Sequence, residues 1–170
     1  MDAVIVDTNV IGIANRKGEH ASLECIESCQ QRLGQILSRR EKVVVDEGWR
    51  IFGEYDRYVN LGTRKWIGDI FVKTLLQNLK NPAICEMVHI TPLEGNGTDF
   101  AEFPSDAALS TFDPDDRKFI AVACAYRQIS GQAATILLAI DRGWLNFIDA
   151  LAAHDVAIDF LCEADIQRPR

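Results

Sequence analysis

The chain has 170 residues, enough for one domain with a sizeable core. Hydrophobic residues make up 48% and charged residues 25%, and no apolar run approaches the roughly 18 residues of a membrane helix. The net charge of −7 argues against a nucleic-acid partner until its distribution is considered. Residues 31 to 80 hold ten of the 18 Lys and Arg but six of the 25 Asp and Glu, and no Lys or Arg lies between Asn81 and Asp116.

Met1-Asp2 runs straight into a strand without the basic start of a secretory leader, so a cytoplasmic protein is expected. Ala3-Val4-Ile5-Val6 is an apolar, β-branched run that reads as a strand buried on both faces. It ends abruptly in Asp7, Thr8 and Asn9, which places Asp7 at the carboxyl edge, where open parallel sheets bind ligands. Val10 to Gly18 reads as a short helix or turn. Ala21 to Arg39 predicts a helix, with Leu23, Ile26, Leu33, Ile36 and Leu37 at helical spacing and Ser22 as its cap.

Lys42-Val43-Val44-Val45-Asp46 repeats the pattern of a β-branched run closed by an acid. Glu47 to Asn60 predicts the following helix, with Ile51, Tyr55 and Val59 four apart and Glu54 between them. Arg64 to Lys80 predicts an amphipathic helix with Ile67, Ile70, Phe71, Leu75 and Leu79 on its apolar side. Its polar side carries Arg64, Lys65 and Lys73, candidate contacts to a phosphate backbone.

Glu86 to Ile90 reads as a third strand, with His89 turned to solvent or a polar part of the core. Thr91 to Asp115 is a long irregular stretch of the kind used as a lid or binding loop, and its Gly95-Asn96-Gly97 is a weak phosphate-loop candidate. Asp113, Asp115 and Asp116 crowd the start of a helix whose Phe119, Ile120 and Ala123 face inward. Ala134 to Ile140 is a fourth strand closed by Asp141, Gly143 to Ala153 a helix with Trp144, Ile148 and Leu151 inward, and Val156 to Leu161 a fifth strand.

Short apolar strands alternating with helices imply a three-layer α/β domain around a mostly parallel five-stranded sheet, spanning residues 1–170 without an internal boundary. Cys25, Cys29, Cys85, Cys124 and Cys162 lie mostly in apolar segments and read as small buried hydrophobes with free thiols, not as a zinc site.

Strands that end in Asp7, Asp46 and Asp141 and a helix that begins at Asp116 would gather carboxylates on one sheet edge. There they repel one another unless a divalent cation intervenes. Oxygen ligands without His or Cys suit Mg²⁺ or Mn²⁺, ions that support phosphodiester hydrolysis.

Val4-Ile5-Val6-Asp7-Thr8-Asn9, Ile51 to Tyr55 with its Glu54, Asp116-Arg117-Lys118-Phe119-Ile120-Ala121-Val122-Ala123, and Ile140-Asp141 resemble, in order and spacing, the four acidic motifs of PIN-domain nucleases. The resemblance implies a Rossmann-like fold and a Mg²⁺- or Mn²⁺-dependent endoribonuclease acting on single-stranded or structured RNA, a toxin or defence nuclease being one such role. It implies Asp7, Glu54, Asp116 and Asp141 as catalytic and metal-binding acids, with Thr8 and Asn9 the polar pair that helps hold the first. The expected partners are RNA, with single-stranded DNA as a second substrate, an inhibitory protein, and a second copy of the chain. The chain departs from small PIN toxins in an inserted helix and long loop around residues 61–115.

Two other readings stay open: a PIN-like module that only binds protein, and a haloacid-dehalogenase-like phosphohydrolase, whose second aspartate is replaced here by Asn9. Asp46 and Glu54 are rivals for the second acid. Strand-end position favours Asp46. The resemblance favours Glu54, which would reach inward if Asp46 only caps the helix that carries it.

Overall fold

β1 (Ala3–Val6) occupies the centre of the molecule because none of its side chains has a reason to face water, and all four are buried. In the computed structural model, which describes residues 2–18, 20–95 and 97–168, β1 pairs with β2 (Lys42–Asp46) on one side and β4 (Ala134–Leu138) on the other. β3 (Cys85–Val88) extends the sheet beyond β2, and β5 (Ile158–Phe160) extends it beyond β4. All four pairings are parallel, in the order β3-β2-β1-β4-β5.

Right-handed crossovers dictate where the helices go. Passing from β1 to β2 to β3 places α1 (Thr8–Ala14), α2 (Leu23–Arg39) and α4 (Ile67–Gln77) on one face, packed on one another. The return from β3 to β4 places α5 (Arg117–Ser130) across β2, β3 and β4 on the opposite face. The result is the expected Rossmann-like three-layer architecture, whose chain reverses direction across the sheet between β1 and β4.

Several element bounds differ from expectation for local reasons. The helix after β2 is only α3 (Arg50–Tyr55), because the Asp46 carboxylate accepts the amides of Arg50 and Ile51 at 3.1 and 2.9 Å and starts the first turn there. The turn before it holds Trp49 in the left-handed region, at φ 65°. α4 is shorter than Arg64 to Lys80 at both ends, and Ile70 lies on its exposed side.

Residues Arg142–Phe147 form a 3₁₀ turn, and α6 (Ile148–Ala153) follows. The change from three to 3.6 residues per turn carries Ile148 outward, 41% exposed, while Trp144 and Leu151 stay buried. β3 and β5 are shorter than expected and β4 ends at Leu138. Past the end of β3, exposed His89 meets Glu47 at 2.6 Å. The 91–115 stretch is irregular apart from a Pro92–Phe100 bridge and short 3₁₀ turns.

The cysteine expectation is corrected. Cys25 of α2 and Cys162, just before α7 (Glu163–Gln167), form a disulfide across 137 residues of sequence, while Cys29, Cys85 and Cys124 are free. Helix α7 itself was not expected. Its Asp165 accepts the Ser22 amide and hydroxyl at 2.9 and 2.6 Å, and Ser22 caps α2 as anticipated by accepting the Cys25 amide. Among the described residues, no helix is long and apolar enough to cross a membrane.

A buried polar knot fastens α4 to α1. Asn15 donates to Tyr58 O at 2.9 Å and to Asp69 Oδ1 at 3.0 Å, and its oxygen accepts the Gly68 amide at 2.8 Å. Asp69 also accepts the amides of Asn60 and Trp66. Both side chains are at least 99% buried, so losing one leaves its partners unsatisfied out of reach of water. Asn15→Ala is therefore expected to lower unfolding free energy by about 2–4 kcal/mol, measurable by urea denaturation. A loss below roughly 0.5 kcal/mol would show the knot to be incidental.

Candidate metal centre

The reversal between β1 and β4 opens the crevice beside Asp7. The Asp7 amide donates to Leu137 O at 3.0 Å, which fixes the strand end against β4. Its carboxylate caps α1 by accepting the Asn9 amide at 3.1 Å and is almost fully buried. Asp141 stands three residues beyond β4 and caps the 3₁₀ turn that follows, accepting the Gly143 amide at 3.0 Å. Asp116 closes the 3₁₀ turn Pro114–Asp116 that leads into α5, and accepts the Trp144 indole N–H at 3.3 Å.

Glu54 arrives from α3. One of its oxygens accepts the Thr8 hydroxyl at 2.5 Å and the other pairs with Lys118 Nζ at 2.6 Å. Asp46 does not join this group. Its carboxylate is fully buried and spent on the first turn of α3 and on the Arg50 guanidinium, 3.3 Å away. Of the two rivals, Glu54 is the acid the fold brings beside Asp7, by way of Thr8. Thr8 therefore holds Glu54, while the backbone of Asn9 holds Asp7.

Burial pushes the Asp7 carboxyl well above its ordinary range, the charges of Asp116, Asp141 and Glu54 push it further, and the Asn9 amide opposes them. Asp116 is pushed up to about 7 by burial, then by Asp141 and Asp113, against the pull of Lys118 and Trp144. Asp141 is raised chiefly by burial, against the Gly143 amide and Trp144.

The carboxylates feel one another's charge without closing on a common point. Among the described residues, the grouping of three candidate ligand atoms all within 4.8 Å is that of Cys25, Cys29 and Cys162. The donor set of hard carboxylate oxygens, Asp7 buried and Glu54, Asp116 and Asp141 partly exposed, fits Mg²⁺ or Mn²⁺, and Asp7, Asp116 and Asp141 are the three with no salt bridge among the described residues.

Of the predicted phosphate contacts, Arg64 and Lys65 are exposed ahead of α4, with Lys65 Nζ 5.3 Å from the centre of the Trp66 ring, and Lys73 reaches Leu61 O at 3.4 Å. None of them lines the cavities beside the acids. The Asp141 side opens into a cavity of about 230 Å³ shared with Asn9, His20 and Arg142. On the Glu54 side a cavity of about 260 Å³ is lined by Arg50, Arg57, Lys118, Phe100 and Asp115. Gly97 also lines it, while Asn96 of the Gly95-Asn96-Gly97 candidate lies outside the described residues.

The sequence did carry a signal for these cations. Arg50, Glu54 and Arg57 are spaced four and three apart, one face of a helix and the turn after it, and Lys118 sits two residues past Asp116 among inward apolar side chains. Comparison with family models, curated proteins and solved structures finds no match for the chain.

The unfolded Asp116 carboxyl loses its proton near 3.8 and the folded one near 7, so between these values the native state holds more protons and stability falls as pH rises. In EDTA the protein is expected to melt lower at pH 8 than at pH 5.5. Asp116→Asn should recover on the order of 2 kcal/mol at pH 8, less than the full shift implies because the side chain is partly exposed. Mn²⁺ should raise the wild-type melting temperature at pH 8 and raise that of Asp116→Asn less. Identical melting of both proteins at both pH values would contradict this electrostatic picture.

Proposed function

We propose that this chain is a PIN-type, Mg²⁺- or Mn²⁺-dependent endoribonuclease that hydrolyses phosphodiester bonds of single-stranded or structured RNA. The observation that carries the reading is the placing of Asp7, Asp116 and Asp141 around the switch point of a parallel sheet, each raised in pKa chiefly by burial, with Asp116 and Asp141 raising Asp7 further. Four acids in the expected order, with Glu54 held against Thr8 and Lys118, support the same reading. A silent binding module would have no use for this electrostatic strain.

Asp7, Asp116 and Asp141 would hold the ion. Once bound, the cation supplies a polarised water and offsets charge on the phosphoryl oxygens. The Asn9 amide and the Trp144 indole fix the orientation of Asp7 and Asp116, so these carboxylates need little rearrangement on loading. Lys118 and Arg57 place positive charge beside the crevice, where a polyanion must enter a chain that is net negative. On this reading the enzyme works in the cytoplasm as a toxin or defence nuclease under the control of an inhibitory protein. Its Cys25–Cys162 link is 1% and 4% exposed and borders a surface cavity of about 370 Å³.

The test is cleavage of a mixed-sequence single-stranded RNA by purified protein in Mn²⁺, with EDTA as control. Wild type is expected to cut only with the metal, and Asp7→Asn and Asp116→Asn are each expected to lose about 10²-fold or more of that rate while remaining folded. Equal cleavage by wild type and both variants, or none by wild type, would rule the proposal out.

A further inference from the structure

Lys118 is a buried lysine, 8% exposed, whose ammonium lies against Glu54 Oε1 at 2.6 Å and the backbone carbonyl of Asp115. Thr8 occupies the other Glu54 oxygen at 2.5 Å. Both oxygens of Glu54 therefore have partners within the chain, and a fixed positive charge stands where the fourth acid would otherwise seek a metal ion. Lys118 also lines the 260 Å³ cavity together with Arg50, Glu54 and Arg57. Arg50 is tied to Asp46 and lies 5.1 Å from the centre of the Phe100 ring, whereas Arg57 is exposed and has no ion pair among the described residues.

Resting on the nuclease reading above, we infer that Glu54 is a positioning residue for Lys118 and not a metal ligand, and that Lys118 and Arg57 form a phosphate-binding arm for the polynucleotide strand. The divalent ion is left to Asp7, Asp116 and Asp141, at one ion per chain. A lysine ammonium with three donors can keep Glu54 and a backbone carbonyl and still offer its third proton to a phosphate oxygen. Placed beside the acids, it supplies from within the chain a charge that a second ion would have to bring from solution.

Mn²⁺ binding by calorimetry decides the first half without any cleavage. Wild type is expected to take one ion per chain, Asp116→Asn to bind about tenfold or more weakly, and Glu54→Gln to stay within about threefold of wild type. The second half is read from binding of a fluorescent single-stranded RNA with Ca²⁺ in place of Mn²⁺. Lys118→Gln is expected to weaken binding about tenfold, with Lys118→Arg recovering part of it. Arg57→Gln is expected to reduce the salt dependence by about one phosphate contact.

A Glu54→Gln variant that loses Mn²⁺ as fully as Asp116→Asn, or two tightly bound ions in wild type, would overturn the inference and leave the nuclease reading standing. Wild type that binds no Mn²⁺ would overturn both. Should Glu54→Gln fail to fold, two tightly bound ions in wild type would still overturn the inference. RNA binding unchanged in both Lys118→Gln and Arg57→Gln would remove the phosphate-binding arm.

Discussion

The crowding of negative charge around buried Asp7, with Asp116 and Asp141 partly exposed beside it, is the constraint on which the rest of the crevice depends. Asp7 is carried to the end of a fully buried strand, Asp141 follows the neighbouring strand, and Asp116 is brought across by the helix on the opposite face. None of the three is neutralised by a salt bridge of its own among the described residues. The surroundings instead offer partial dipoles: the Asn9 and Gly143 amides and the Trp144 indole. Dipoles orient a carboxylate without cancelling its charge, which leaves the group able to attract a cation.

Glu54 is treated differently by the fold, and the reason begins at Asp46. By capping α3, Asp46 gives up any role at the sheet edge and sets the direction of the helix that carries Arg50, Glu54 and Arg57. The acid meets Thr8 and Lys118, and the flanking cations line the cavity that the 97–115 segment helps to enclose. Acidic and basic groups are thus sorted to adjacent parts of one crevice. That sorting reconciles a net charge of −7 with the polyanionic substrate proposed above.

The sheet was legible because each strand is a short apolar run bounded by polar residues, a pattern that depends on nothing distant. Asp7 and Asp141 were legible for the same reason, being the first carboxylates after such runs. What escaped depends on contacts between remote segments. Cys25 and Cys162 lie 137 residues apart, and nothing local to either marks them as partners. Arg64, Lys65 and Lys73 stood out as a charged helix face, yet that helix packs against α1 and α2, and the cations beside the acids are Arg50, Arg57 and Lys118. Lys118 in particular stands inside a motif valued for its aspartate, and only the meeting of α3 and α5 reveals its partner.

Whether the aspartates form a metal centre is tested most directly by soaking crystals of the protein in Mn²⁺ at pH 8 and locating the ion by its anomalous signal. The account predicts one strong peak bonded to oxygens of Asp7, Asp116 and Asp141, with Glu54 still paired to Lys118. No peak at the carboxyl edge of the sheet, or manganese found only elsewhere on the molecule, would contradict it.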